Sequence, residues 1–146
     1  PNDSEKKIIA DIAYRNFRFS RFHLDDRLSN RFANLIKKKT LENHFLGNRG
    51  NKIIVQFYRR QVSGFCLLKF ENKEYALIDL ISIDKKFSKK GLATDLMKYS
   101  TFMLNTKYGK NKLIVSTQEK NISAINLYKR FQFDTKNKYY LYHYIS

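Results

Sequence analysis

Apolar residues recur along this chain at two spacings, helical in some stretches and strand-like in others, and the switches between them lay out its elements. Ile8, Ile9, Ile12 and Ala13 share one helical face within 5–15. Ser29 is placed to cap a second helix that carries Phe32, Leu35, Ile36 and Phe45. After a turn-rich break at 47–51, three runs rich in Ile, Val, Phe, Tyr and Leu at 52–60, 62–71 and 75–84 read as strands. The connections between them are so short that only antiparallel pairing, a meander, is open to them. From Gly91 the spacing becomes helical again, with Leu92, Leu96, Tyr99, Met103 and Leu104 on one side and Gly109 at the end. A short strand at 112–117 follows, then a helix capped by Asn121 and holding Ala124, Leu127, Tyr128 and Phe131, then a last strand at 139–145. The order is αα, βββ, α, β, α, β.

Composition narrows the setting. The 146 residues suit a single domain, 1–146, with 42% hydrophobic and 15% aromatic residues to build a core. The longest apolar run, 77–83, is broken by Asp79 and Ser82, and no stretch is long enough to span a bilayer. The opening residues 1–7 are polar and lead into no secretory signal, and the single Cys66 cannot form an internal disulfide, so a cytoplasmic location is expected. The chain opens on Pro1 and runs almost at once into a helix, so an upstream segment is expected as well. Lys and Arg number 29 against 13 Asp and Glu, and a net charge of +16 attracts phosphate-bearing partners: nucleic acid, anionic lipid or a nucleotide cofactor. The richness in Lys, Asn, Ile, Tyr and Phe also matches an AT-rich coding sequence, so part of that charge is compositional.

Chemistry concentrates where the third strand passes through Asp84, Lys85, Lys86, Phe87, Ser88, Lys89 and Lys90 into a helix that begins Gly91-Leu92-Ala93-Thr94. A helix start offers unpaired N–H groups and the positive end of a dipole, and small residues let phosphate approach the backbone. A second segment, Asn121, Ala124, Tyr128 and Phe133, lies downstream. Together the two resemble the GNAT superfamily of N-acetyltransferases. The cofactor loop of that superfamily reads Gln or Arg, two residues, Gly, one residue, Gly or Ala, and its later helix reads Asn, Ala, Tyr and a closing Gly-Phe. Ser88 stands at the first loop position and Gln132 in the place of the closing Gly. The resemblance implies an α/β fold with a mixed sheet, an antiparallel meander followed by β-α-β-α-β with a splayed central strand pair. It also implies that the first strand lies upstream of Pro1.

The front of the chain, Phe17-Arg18-Phe19-Ser20-Arg21-Phe22-His23-Leu24-Asp25 with Asn43-His44-Phe45 and Arg49-Gly50, resembles acyltransferases that act on nucleotide-linked amino sugars, such as the TDP-fucosamine acetyltransferase group. Asp26 stands where that group has Pro. The implied partners are acetyl-CoA and an amine acceptor, a nucleotide-linked amino sugar, with a homodimer as a further option and no membrane.

Moving an acyl group from a thioester to an amine requires alignment, a neutral nitrogen, a stabilised oxyanion and a proton for the leaving thiolate. By resemblance, backbone groups at Ile81 and Ile83 hold the pantetheine arm, and Ser88, Lys89, Lys90, Gly91, Leu92, Ala93 and Thr94 cradle the pyrophosphate, with Asn121 capping its helix or touching the cofactor. Tyr128 is the candidate general acid, or else a core aromatic on an amphipathic helix. Asp79 is a candidate base, with water as the other acceptor of the amine proton. Arg18, Arg21, His23 and Arg49 are candidates for the acceptor's phosphates or hydroxyls, arginine being suited to bidentate phosphate recognition, or else form a network between the front helices and the sheet. His23, His44 and His143 lack zinc-like spacing, so no metal is expected, and Cys66 in an apolar strand reads as core. Two other readings stand beside this one: a protein or peptide N-acetyltransferase, and a basic nucleic-acid-binding module, which the charge fits but the Gly91 and Tyr128 segments do not.

Overall fold

A computed structural model describes residues 1–17 and 29–139. Arg18, Arg21 and His23, and all but the first residue of the strand expected at 139–145, lie outside the described residues.

Two helices come first. Helix α1 (Asp3–Asn16) starts in a capping box, in which Asn2 Oδ1 accepts from the Glu5 N–H and Glu5 Oε2 from the Asn2 N–H. Helix α2 (Asn30–Phe45) starts at Ser29, whose Oγ accepts from the Phe32 N–H. They pack on each other and on one face of the sheet, where Ile9, Ile12, Ala13 and Leu41 meet Val62, Phe65, Leu67 and Leu80. Phe32 and Leu35, expected on the buried side of α2, are about half exposed, and Ala33, Leu41 and His44 are buried instead.

Strands β1 (Lys52–Tyr58), β2 (Gln61–Phe70) and β3 (Tyr75–Ile83) form the antiparallel meander, and β4 (Lys112–Val115) pairs parallel with β3, giving the order β1-β2-β3-β4 among the described residues. Helix α3 (Leu92–Tyr108) is the crossover between the parallel strands β3 and β4, and α4 (Ile122–Arg130) follows. Both cover the opposite face of the sheet, where Leu96, Met97, Leu104 and Tyr128 pack on Cys66, Leu68, Ala76 and Ile78. On α3 the buried stripe is Leu92, Leu96, Met97, Ser100 and Leu104. Tyr99, expected there, points outward because Ser100 takes the core position, its hydroxyl satisfied by the Leu96 carbonyl at 2.7 Å.

Three irregularities shape the sheet. The pairing of β1 with β2 steps from Gln56↔Gly64 to Phe57↔Val62, so Ser63 is skipped. The pairing of β2 with β3 steps from Leu67↔Leu80 to Leu68↔Ile78, so Asp79 is skipped and forms a β-bulge. The extra residue reverses the facing of the side chains. Ile78 packs under α3 and α4, whereas Leu80, of the same parity, packs under α1 and α2. At the same place β3 and β4 part: their last register pair is Ile78↔Val115, while β3 stays paired to β2 as far as Ile83.

Candidate active site

The gap opened at the bulge is lined by backbone of known direction. The Asp84 N–H donates to the Ser63 carbonyl at 2.7 Å, so the backbone groups at 82 and 84 face β2. By alternation those of Ile81 and Ile83 face the gap that β4 has left. The Ile83 carbonyl accepts from Asn16 Nδ2 at 2.6 Å, which leaves the Ile81 groups and the Ile83 N–H aimed into the opening.

Above the gap, Asp84 is buried, paired with Arg15 at 3.6 Å, and accepts from the Lys86 N–H, which starts a short 3-10 turn, Lys85–Phe87. Ser88, Lys89 and Lys90 follow, all exposed, Lys89 in the left-handed region at φ 60. Gly91 caps α3 at φ 76 with no side-chain hydrogen bond to the first turn, so no cap competes for the N–H groups of Leu92, Ala93 and Thr94. Gln56 Nε2 donates to the Leu92 carbonyl at 3.0 Å and ties this helix start to β1.

Tyr128 stands beside the fork. It shares a packed cluster with Ile78, with Val115 against it, the two residues of the last β3–β4 pair, and with Leu96 and Met97 from the first turns of α3. Ile81 and Ile83 pack on the same cluster. Burial, with a smaller contribution from the adjacent Cys66, pushes its phenol up to about 12, so it holds its proton throughout the neutral range. The end of α4 fixes the ring. The Phe133 N–H bonds to the Tyr128 carbonyl and the Gln132 N–H to the Lys129 carbonyl, a Schellman closure with Gln132 at φ 59. This closure brings the Phe133 ring to 5.6 Å from the Tyr128 ring. Asn121 starts the same helix by accepting from the Ala124 N–H at 3.3 Å. Cys66 is fully buried with its thiol pushed up to about 12 by that burial, consistent with a core role.

On the other face the bulge residue Asp79 is clamped. Arg49 Nε lies 2.6 Å from its Oδ2 and Nη2 2.9 Å from its Oδ1, and His44 Nε2 lies 2.7 Å from Oδ2. Burial alone would raise the carboxyl, but the hydrogen bonds from His44 and Arg49 and the Arg49 charge outweigh it and hold Asp79 well below the usual carboxylate range. A carboxylate so held, with three nitrogens on two oxygens, has little affinity for a further proton, which counts against Asp79 as a general base. The His44 side chain is fully buried and packs on Gly50, where a Cβ would collide with the ring.

With this geometry in place, comparison with known proteins is informative. Residues 9–133 match the Acetyltransferase (GNAT) family. The chain belongs to that family. Spore coat polysaccharide biosynthesis protein SpsD of Bacillus subtilis (strain 168) is 26% identical over 144 residues, which are 98% of this chain and 48% of that protein; the chain thus spans about half the length of this curated relative. Among solved structures, a possible acetyltransferase from Clostridium difficile 630 covers 100% of this chain and 95% of its own at a TM-score of 0.74 and 17% identity. A GNAT family acetyltransferase from Elizabethkingia anophelis, solved with acetyl-CoA bound, covers 68% of this chain and 63% of its own at 0.59 and 20%. Likenesses at this identity speak to the fold.

Within this GNAT domain, Ile81, Ile83 and Tyr128 share one cluster at the strand fork with Leu96 and Met97 of α3, the start of that helix is tied to β1 through Gln56, and Asp79 and Arg49 pair with each other on the side of His44. Sequence reasoning left three positioning residues unassigned: Asn16, Gln56 and His44. Of these only His44 carried a signal, in its place beside the Arg49-Gly50 pair. Among the described residues there is no group of three or more His, Cys, Asp or Glu that could hold a metal, and no helix long and apolar enough to cross a membrane.

Proposed function

We propose that this GNAT domain catalyses transfer of an acetyl group from acetyl-CoA to the primary amine of a nucleotide-linked amino sugar, directly and without an acyl-enzyme. The observation that carries the reading is the fork: strands that part at Ile78 and Val115, directly beside a buried phenol and on the same face as an uncapped helix start.

The residues present fit acetyl-CoA. The start of α3 has neither a side-chain cap nor any atom within 4 Å of where a Cβ on Gly91 would stand, so a diphosphate has room to reach the N–H groups of 92–94. Lys89 and Lys90 add charge, and Ser88 supplies a hydroxyl at the loop's first position. The Ile81 and Ile83 backbone groups in the gap can bind an amide-bearing arm as a strand would. Bound acetyl-CoA supplies the activated acetyl group. Tyr128 carries the proton that a departing thiolate needs. Cys66, buried with a raised thiol, is unsuited to forming a covalent acyl-enzyme.

For the acceptor, the reading assigns Arg49. Asp79 holds its Nε and Nη2 and leaves Nη1 to meet an anionic or hydroxyl group, while the side chain keeps 46% exposure. Water takes the amine proton. The likeness to a polysaccharide biosynthesis protein supports a sugar-linked amine.

Two measurements test this. Acetyl-CoA should raise the melting temperature of the purified protein, and absence of any shift removes the whole reading. Steady-state turnover should then favour nucleotide-linked amino sugars over peptide amines, and the reverse preference removes the acceptor assignment alone.

A further inference from the structure

We propose that the tip of the β1–β2 hairpin and the loop before α3 together form a second phosphate site, one that reads the 3′-phosphate of coenzyme A; this rests on the acetyl-CoA reading above. Tyr58, at the end of β1, meets Phe87 of the 3-10 turn edge-on, ring centroids 5.6 Å apart. Three cations from three separate points gather on that pair. Arg59 Cζ stands 5.4 Å over the Tyr58 ring, Lys90 Nζ 5.6 Å over the same ring, and Lys86 Nζ 4.7 Å over Phe87. Lys86 Nζ also lies 3.4 Å from Gln61 Oε1 across the hairpin, which joins the two segments.

Among the described residues, none of the three is ion-paired to a carboxylate. Asp84, nearest in sequence to Lys86, is buried and turned to Arg15. Like charges held together repel, and an anion among them relieves that repulsion. The hairpin turn points the same way. Arg59 and Arg60 both sit in the left-handed region, at φ 47 and 63, where Asn-Gly is the relaxed choice. A turn that retains an arginine under that strain presents a side chain the fold itself does not require.

The identity of the anion follows from position. Lys90 adjoins Gly91, the start of the helix assigned to the diphosphate, and in coenzyme A the 3′-phosphate is one ribose away from the diphosphate. Phosphates of the acceptor belong instead at Arg49, on the opposite layer of the sheet.

Calorimetric titration of the full chain with coenzyme A and with 3′-dephospho-coenzyme A decides the matter. Coenzyme A should bind about tenfold more tightly at low salt, the scale of one charge-assisted contact. Arg59→Asn, which suits the left-handed backbone and so preserves the turn, and Lys86→Gln should each close most of that gap while leaving the affinity for the dephospho form unchanged. Equal affinity of the native protein for the two ligands, or a gap that survives both substitutions, overturns the 3′-phosphate site and leaves the acetyl-CoA reading standing. Failure to bind either ligand overturns both.

Discussion

At the scale of single residues, Tyr128 carries the acid step of the proposed chemistry and Gly50 makes room for the clamp on Asp79, and each depends on a neighbour. Tyr128 is useful as an acid only if its proton stays in place until a thiolate forms, and burial ensures this across the neutral range. Tyr128→Phe keeps the ring and its contact with Phe133 and removes only the hydroxyl. It should lower kcat by about 10²-fold, the usual scale of one general acid, with little change in the affinity for acetyl-CoA. Stopped-time assays of kcat beside a binding titration separate the two effects, and unchanged kcat would return Tyr128 to the role of a core aromatic. Gly50 is the second case. Its bare Cα lets the His44 ring lie against it, and Gly50→Ala forces that ring away from Asp79. A destabilisation of roughly 1–3 kcal/mol is expected, as for other overpacked sites, read from the urea midpoint.

Elements show where sequence patterns inform and where they do not. Helix bounds that rest on local chemistry were legible in part: Ser29 and Asn121 cap their helices and Gly91 and Gly109 bound α3, whereas the Asn2–Glu5 capping box that starts α1 went unread. The facing of side chains was less so. Tyr99 and Ser100 exchange the roles their polarity suggests, because the serine hydroxyl bonds back to its own helix and so can be buried. The bulges at Ser63 and Asp79 leave no mark on an apolar pattern, yet they decide which strand positions face which layer. Asp79 itself was legible as a polar residue interrupting an apolar strand, but its clamp was not, since His44 and Arg49 lie some thirty residues upstream in the chain. The family pattern did locate one strained position. Gln132 stands where a glycine is usual, and its φ of 59 explains the preference. Gln132→Gly should raise stability by up to about 1 kcal/mol, the relief of left-handed strain less the greater unfolded-state entropy of glycine. Denaturant unfolding measures it. Because the Schellman bonds and the Phe133 contact are kept, kcat should not change.

On the scale of the whole molecule, the sheet separates two halves of the proposed reaction. The α3 and α4 layer carries the residues proposed for the donor, and the α1 and α2 layer supplies the His44–Asp79–Arg49 clamp proposed for the acceptor. The bulge at Asp79 joins them, since the residue that bends β3 away from its regular register is also the anchor of Arg49. Asp79→Asn should therefore raise KM for the acceptor and leave the acetyl-CoA affinity alone, because the helix start and the fork backbone lie on the other face. The same substitution carries a stability signature of known sign. The folded-state pKa of Asp79 is depressed, so its contribution is fully present above the unfolded carboxylate value of about 3.9. As pH falls below that value the unfolded chain takes up a proton that the folded one resists, and the contribution is progressively lost. Melting temperature followed from pH 6 down to about 3 should fall more steeply for the native protein than for Asp79→Asn, whose amide does not titrate in this range. Parallel curves would show that the clamp adds nothing to the fold, and an unchanged acceptor KM would show that it does not hold Arg49 for the substrate.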